Sequence, residues 1–224
     1  MSRFSGVNRV LFDLDNTLIK HNFEKENEHI ANHFDVEDKD EFRRQLDSMF
    51  KNSGQYIEGT IITKGYFVYV IEKLMPILKA IGKTGEDVLN ALDMYHAGTL
   101  MDGAAETLKY LSNKGYQIVA FTNWFGEGQL KILKKLGIDD YFERIYGWDN
   151  YFAKPNYFAM LRALENTDAS KNVMIGDNLH HDVILPKSVG VKTIGFNIDY
   201  KEGKNTTIRA DADITRLMDI KKYL

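Results

Sequence analysis

The chain has 224 residues, 44% hydrophobic and 27% charged, with a formal net charge of −3 and no cysteine. This is ordinary globular composition at a length that holds one sizeable domain, or a core with a smaller companion. The acidic balance speaks against nucleic-acid binding, the missing cysteines exclude disulfides, thiolate catalysis and Cys-ligated zinc, and no apolar run reaches membrane-spanning length.

The N-terminus runs directly into the first strand without a secretory h-region, so a cytoplasmic protein that does not engage a membrane is expected. That first strand, Val10 to Phe12 with Val7 before it, reads as a buried apolar run. It ends in Asp13-Leu14-Asp15, two carboxylates two residues apart. At the carboxyl end of a parallel strand, where ligands gather, such a pair repels itself unless a cation intervenes or one member takes a proton. The bland alternative is turn material, since Asp bonds its own backbone in turns. What decides between them is whether the rest of the chain supplies partners.

The sequence then turns helical. Residues 24–34, 39–51, 63–81 and 84–95 each read as helices, the third carrying Phe67, Val70, Ile71, Leu74 and Leu78 at helical spacing. Four helices without a strand predict an all-α module inserted after the first strand. The expected division is 1–18 with 98–224 as a core and 19–97 as the insert, with hinges near 18–22 and 97–101.

From Gly98 the pattern alternates. Helices are predicted at 104–113, 129–136 and 156–165, a short helical segment at 186–189, and a closing helix at 217–224. Strands are predicted at 117–121, 144–147, 172–175 and 192–196, with an edge strand at 212–214. Residues 197–209 read as a surface loop. Such alternation predicts an α/β fold: a parallel sheet with helices on both faces.

A parallel sheet brings the strand ends to one rim. Asp13 and Asp15 follow the first strand, Thr122 and Asn123 the second, and Asp177 the fourth, with Asp182 five residues on. Lys154, followed by Pro155, precedes a helix after the third strand. Phe12-Asp13-Leu14-Asp15-Asn16-Thr17, Phe121-Thr122-Asn123, Lys154-Pro155 and Gly176-Asp177-Asn178 through Asp182 together resemble the four motifs of the haloacid dehalogenase superfamily, in that family's order. The resemblance covers essentially the whole chain. It implies a Rossmann-like core and identifies the helical insert with that family's cap of the first type.

The chemistry implied is phosphoryl transfer. Asp13 is the expected nucleophile, forming an aspartyl-phosphate, and Asp15 the acid that protonates the leaving oxygen and then the base for water. Thr122, Asn123 and Lys154 are the expected substrate-binding groups, with Thr122 on a phosphoryl oxygen and Lys154 as a point charge beside the nucleophile. An all-oxygen site suits Mg²⁺, and the resemblance implies Asp13, the carbonyl of Asp15 and Asp177 as its ligands. Asp182 is expected as a ligand or as a group that orients the ligands. The expected substrate is a small phosphorylated metabolite.

Plainer readings stand beside these. Thr122 suits an ordinary strand, Lys154 a solvated surface, and Asp177 a helix N-cap. Asn178 either bonds near the metal or shapes the turn, and Asn16 shapes a loop. His180 and His181 lie between the two aspartates of the last motif, at positions that vary in the family. His29 and His33 share a helical face without a third ligand. Gly126-Glu127-Gly128 lacks the third glycine of a dinucleotide fingerprint and reads as a loop or helix start. Tyr66, Phe67 and Tyr69 read as core of the helical module, and substrate choice is expected to lie in its loops, around 53–59.

Asp15 separates the rival chemistries. A dehalogenase needs no acid there, and a phosphonate-cleaving relative would carry a small residue. A phosphomutase uses the same core and stays open, as does oligomeric state. A non-catalytic phospho-ligand-binding protein would be expected to lack one of the motif residues, yet all are present. Two departures from the usual pattern are Met101-Asp102-Gly103, where a proline-glycine turn is common, and Pro186, expected to bend the segment after Asp182.

Overall fold

The computed structural model describes residues 4–22 and 98–224, apart from 125, 148–152 and 202–205, together with 25, 28, 31–34, 36–44, 76, 79–80 and 82. Two compact units divide the chain, one of residues 1–20 with 99–224 and the other of 21–98.

The first unit is built on a six-stranded sheet. Its strands are β1 (Arg9–Phe12), β4 (Gln117–Phe121), β5 (Arg144–Tyr146), β6 (Asn172–Gly176), β7 (Lys192–Phe196) and β8 (Ala212–Ile214), in the order β5-β4-β1-β6-β7-β8. Every pairing in it is parallel. β1 is central, with Leu11 opposite Val119 on one side and Met174 on the other. The chain winds from β1 through β4 to β5, then crosses back to β6, β7 and β8. That reversal beside β1 opens a crevice at the carboxyl ends of β1, β4 and β6, where open α/β sheets bind ligands.

Side chains alternate across the sheet because the strand period is two. Val10 and Phe12 join Ile118, Ala120, Val173, Ile175 and Ile194 on one face. Leu11, Phe121 and Met174 face the other. The first face is covered by helices α1 (Ala104–Asn113) and α2 (Gly126–Leu136) and a closing 3₁₀ turn over Leu217–Lys222. The second is covered by α3 (Tyr157–Leu164) and α4 (Leu185–Ser188). Helical spacing explains the seats: Ala104, Thr107, Leu108 and Leu111 form the buried stripe of α1. Asn156 caps α3, its side chain accepting from the Phe158 amide at 2.8 Å. The parallel sheet with helices on both faces is therefore the expected Rossmann-like α/β architecture.

Several boundaries differ from expectation. α2 begins at Gly126, so the Gly126-Glu127-Gly128 segment is a helix start. The closing element is 3₁₀ over 217–222, shorter than the predicted helix. A two-stranded antiparallel ladder, β2 (Ile19–Lys20) with β3 (Thr99–Leu100), carries no periodic sequence signal and joins the ends of the first unit. Residues 179–184 form a π-helical turn that leads into α4. Pro186 lies just past it; it has no N–H for the carbonyl four residues back and its ring crowds that carbonyl, so the winding changes where a bend was expected.

In the second unit, residues 31–33 and 39–44 are helical, and Phe34 and Phe42 meet edge to face at 6.3 Å. The predicted helices at 63–81 and 84–95 lie almost wholly outside the described residues. So do the 53–59 loop, His29, Tyr66, Phe67 and Tyr69.

Candidate active site

The end of β1 delivers Asp13 into the crevice, where its amide donates to the Ile175 carbonyl at 2.9 Å. Beyond it the chain folds back tightly. Asn16 takes a left-handed backbone (φ 62°) and its amide donates to the Ile19 carbonyl at 2.7 Å. The fold-back carries the fully buried Thr17 to Asp13, where Thr17 Oγ1 donates to Oδ2 at 2.9 Å.

The other carboxylate oxygen of Asp13 accepts from Lys154 Nζ at 2.7 Å, and the same ammonium donates to Asp182 Oδ1 at 2.7 Å. Lys154 is 2% exposed, which rules out the solvated-surface reading. Its backbone is gripped by one side chain: its amide donates to Asn123 Oδ1 at 2.7 Å, and Asn123 Nδ2 donates to its carbonyl at 3.0 Å. The side-chain amide of Asn123 is thus engaged by Lys154, and its Nδ2 also lies 3.4 Å from His181 Nδ1.

Asp177 and Asp182 come from the end of β6 and the π-helical turn after it. Asn178, and not Asp177, caps that turn, its Oδ1 accepting from the amides of His180 and His181 at 3.0 Å each. Asp182 folds back beneath the strand end, where its Oδ2 accepts from the Asn178 amide at 3.0 Å. Only glycine permits this approach, because a Cβ at Gly176 would lie 2.3 Å from the Asp182 carboxyl carbon.

Asp15 stands on the other flank. Gln129 Nε2 donates to both its carboxylate oxygens, at 3.2 and 3.0 Å. Thr122 is buried just past β4; its Oγ1 accepts from the Trp124 amide at 3.1 Å and lies 3.5 Å from Asp15 Oδ2.

The crevice therefore gathers Asp13, Asp15, Thr122, Asn123, Lys154, Asp177 and Asp182. Its electrostatics follow from four carboxylates around one ammonium. Burial pushes the Asp13 carboxyl well above the usual carboxylate range; Lys154 opposes this, while Asp182, Asp177 and Asp15 add to it. Burial, with Asp182 next, lifts Asp177 to about 7. For Lys154, burial pulls downward, yet the carboxylates of Asp13 and Asp182 outweigh it and hold the ammonium charged. Burial and the neighbouring ammonium lower the His181 imidazole to about 3, so it is neutral. Asp13, Asp177 and Asp182 each offer an oxygen, all within 4.8 Å of one another. Hard oxygen donors with excess negative charge fit a divalent cation such as Mg²⁺.

Two residues here drew no functional expectation from the sequence. Thr17 was visible within the first motif but had no assigned contact. Gln129 carried a readable signal: a polar residue in the apolar stripe of α2, one turn before Ile132 and Leu133.

This geometry accompanies a family match. The model of the haloacid dehalogenase-like hydrolases matches residues 7–190, and the chain belongs to that family. Among curated relatives, the pyrophosphatase PpaX of Halalkalibacterium halodurans is 34% identical over 102 residues, 43% of this chain and 47% of that protein. A glyceraldehyde 3-phosphate phosphatase of Pyrococcus abyssi is 34% identical over 97 residues, 42% of this chain and 41% of that protein. The matches thus span less than half the length of these two relatives. Among solved structures, the HAD-hydrolase YfnB of Bacillus subtilis superposes with a TM-score of 0.74 at 20% identity, covering 96% of this chain and 97% of that one. Among the described residues, no helix is long and apolar enough to cross a membrane.

Proposed function

We propose that the protein is a Mg²⁺-dependent phosphohydrolase that cleaves a small phosphorylated metabolite through an aspartyl-phosphate on Asp13. The observation that carries this is Asp13 itself: buried at the end of the central strand, bonded to Lys154 at 2.7 Å, and clustered with Asp177 and Asp182. The named activities of the curated relatives, on phosphate esters and pyrophosphate, support the reaction class and leave the substrate open.

In this reading the Asp13 carboxylate attacks phosphorus and the ester P–O bond breaks. The departing oxygen takes its proton from Asp15. Asp15, now a carboxylate, takes a proton from water, which attacks the aspartyl-phosphate and frees Asp13 and inorganic phosphate. Lys154 and the Thr122 hydroxyl balance charge on the phosphoryl oxygens. Asp13, the Asp15 carbonyl and Asp177 would hold Mg²⁺, with Asp182 orienting them through Lys154 and the Asn178 amide. Bound there, the ion supplies positive charge that lets a carboxylate approach an anionic phosphoryl group. Asn123 acts by holding the Lys154 backbone. The second unit, residues 21–98, serves as the cap that selects substrate.

The test is phosphate release from an aryl phosphate and a panel of phosphorylated metabolites, with Mg²⁺ or chelator, for wild type and Asp13→Asn. Release that requires both Mg²⁺ and Asp13 is expected. Full activity in Asp13→Asn would overturn the mechanism.

A further inference from the structure

Gln129 is fully buried, and its amide is used on one side only. Nε2 donates to both oxygens of Asp15, at 3.2 and 3.0 Å, and lies 3.4 Å from Thr122 Oγ1. Its Oε1 is buried with no hydrogen-bond partner among the described residues. It sits in the stripe of α2 that otherwise buries Gly126, Gly128, Ile132 and Leu133. An apolar side chain there would strand no oxygen, so the amide is a liability for packing alone. A donor shared between both carboxylate oxygens holds that carboxyl group in position. The placement of α2 is itself tightly set: a Cβ at Gly147 would lie 2.4 Å from the Gly126 amide nitrogen and 2.5 Å from the Trp124 carbonyl.

We infer that Gln129 is a positioning residue for Asp15, holding the carboxyl group that exchanges protons with the leaving group and the attacking water. The inference rests on the phosphohydrolase reading. In the first step, which kcat/KM reports, Gln129 then matters in proportion to how much the leaving group needs a proton; in the second step it matters equally for every ester. An alkoxide is a poor leaving group and depends on Asp15; a nitrophenolate departs without help.

The experiment measures kcat and KM for p-nitrophenyl phosphate and for the alkyl phosphate that wild type turns over best. The proteins are wild type, Gln129→Met, Gln129→Glu, Asp15→Asn and the Asp15→Asn/Gln129→Met double variant. Neither substitution at 129 can donate to Asp15 as the amide does, and methionine fills a similar volume. Expected for both is a fall in kcat/KM of about 10- to 100-fold on the alkyl ester, the worth of one hydrogen bond to a charged group. On the alkyl ester the loss should lie in kcat rather than KM. On the aryl ester kcat/KM should change little, while kcat falls wherever the second step, in which Asp15 deprotonates water, is limiting. The double variant should be no slower than Asp15→Asn, because the effect runs through Asp15. Gln129→Met should also unfold no earlier than wild type; should it fail to fold, Gln129→Glu carries the kinetic test. Equal losses of kcat/KM on both esters, or an additive loss in the double variant, would overturn the assignment. A wild type that cleaves neither ester would instead sink the phosphohydrolase reading, and this inference with it.

Discussion

Replacing Lys154 by methionine keeps the length of the side chain and removes the cation that bonds both Asp13 and Asp182. Two charge-assisted hydrogen bonds of 2.7 Å disappear, one to Asp13 and one to Asp182. At about 1.5–3 kcal/mol each, their loss sums to about 3–6 kcal/mol. The loss has a ceiling, because a stranded carboxylate can take a proton instead. Protonating a carboxyl of ordinary pKa at pH 7 costs about 4 kcal/mol, and burial of Asp13 already makes it a readier acceptor than that. The metal-free variant is therefore expected to be about 3 kcal/mol less stable than wild type at pH 7. At pH 5 protonation is easier by about 2.7 kcal/mol, so the difference should shrink to about 1 kcal/mol or less. Urea unfolding of both proteins at the two pH values, with chelator present, measures this. A loss under about 1 kcal/mol at pH 7, or an equal loss at both pH values, would refute the role of Lys154 as counter-charge to the buried carboxylates.

Further predictions follow from the same contacts. Asp177 is held at about 7 when folded, above its unfolded value of 3.8, so between those pH values the unfolded chain binds fewer protons. Stability of the metal-free protein should then fall as pH rises from about 4 to 7, and added Mg²⁺ should flatten the fall; thermal unfolding across pH reads both. Gly176→Ala drives a Cβ into the Asp182 carboxyl, and should cut phosphate release about 100-fold or more while the protein stays folded by circular dichroism. Asp211 lies away from the site. Burial pushes its carboxyl up, but Lys187 and Thr193 outweigh this and hold it below the usual range, so its contribution is present above pH 4 and lost as pH falls further. Asp211→Asn should lower stability by about 1 kcal/mol at pH 7 and leave kcat unchanged.

What the sequence disclosed depended on how local the signal was. The strands 117–121 and 192–196 were legible because largely apolar runs bounded by polar residues mark buried parallel strands. Once the sheet was taken as parallel, the convergence of Asp13, Thr122, Lys154 and Asp177 followed from topology. The β2–β3 ladder was not legible, since two residues per strand hold no period. The π-helical turn at 179–184 has the same local pattern as an ordinary helix start, and only Pro186 hinted at altered winding. Contacts between distant residues were hidden for another reason. That Asn123 grips the Lys154 backbone, 31 residues away, depends on how β4 and the Lys154–Pro155 segment meet in space. Gln129 lies between these cases: its place in an apolar stripe was visible, but its partner, Asp15, was not.

The most direct test of the central claim is to trap the intermediate. Wild type and Asp15→Asn are mixed with p-nitrophenyl phosphate and Mg²⁺, quenched in acid within milliseconds, and the peptide carrying Asp13 is examined by mass spectrometry. Asp15→Asn lacks both the acid of the first step and the base of the second. Because nitrophenolate departs without a proton, only the second loss matters here, and the variant should accumulate a phosphoryl adduct on Asp13, which Asp13→Asn never forms. A phosphoryl adduct on any other residue, or substrate turnover with no adduct on Asp13 at any quench time in either protein, would contradict the account.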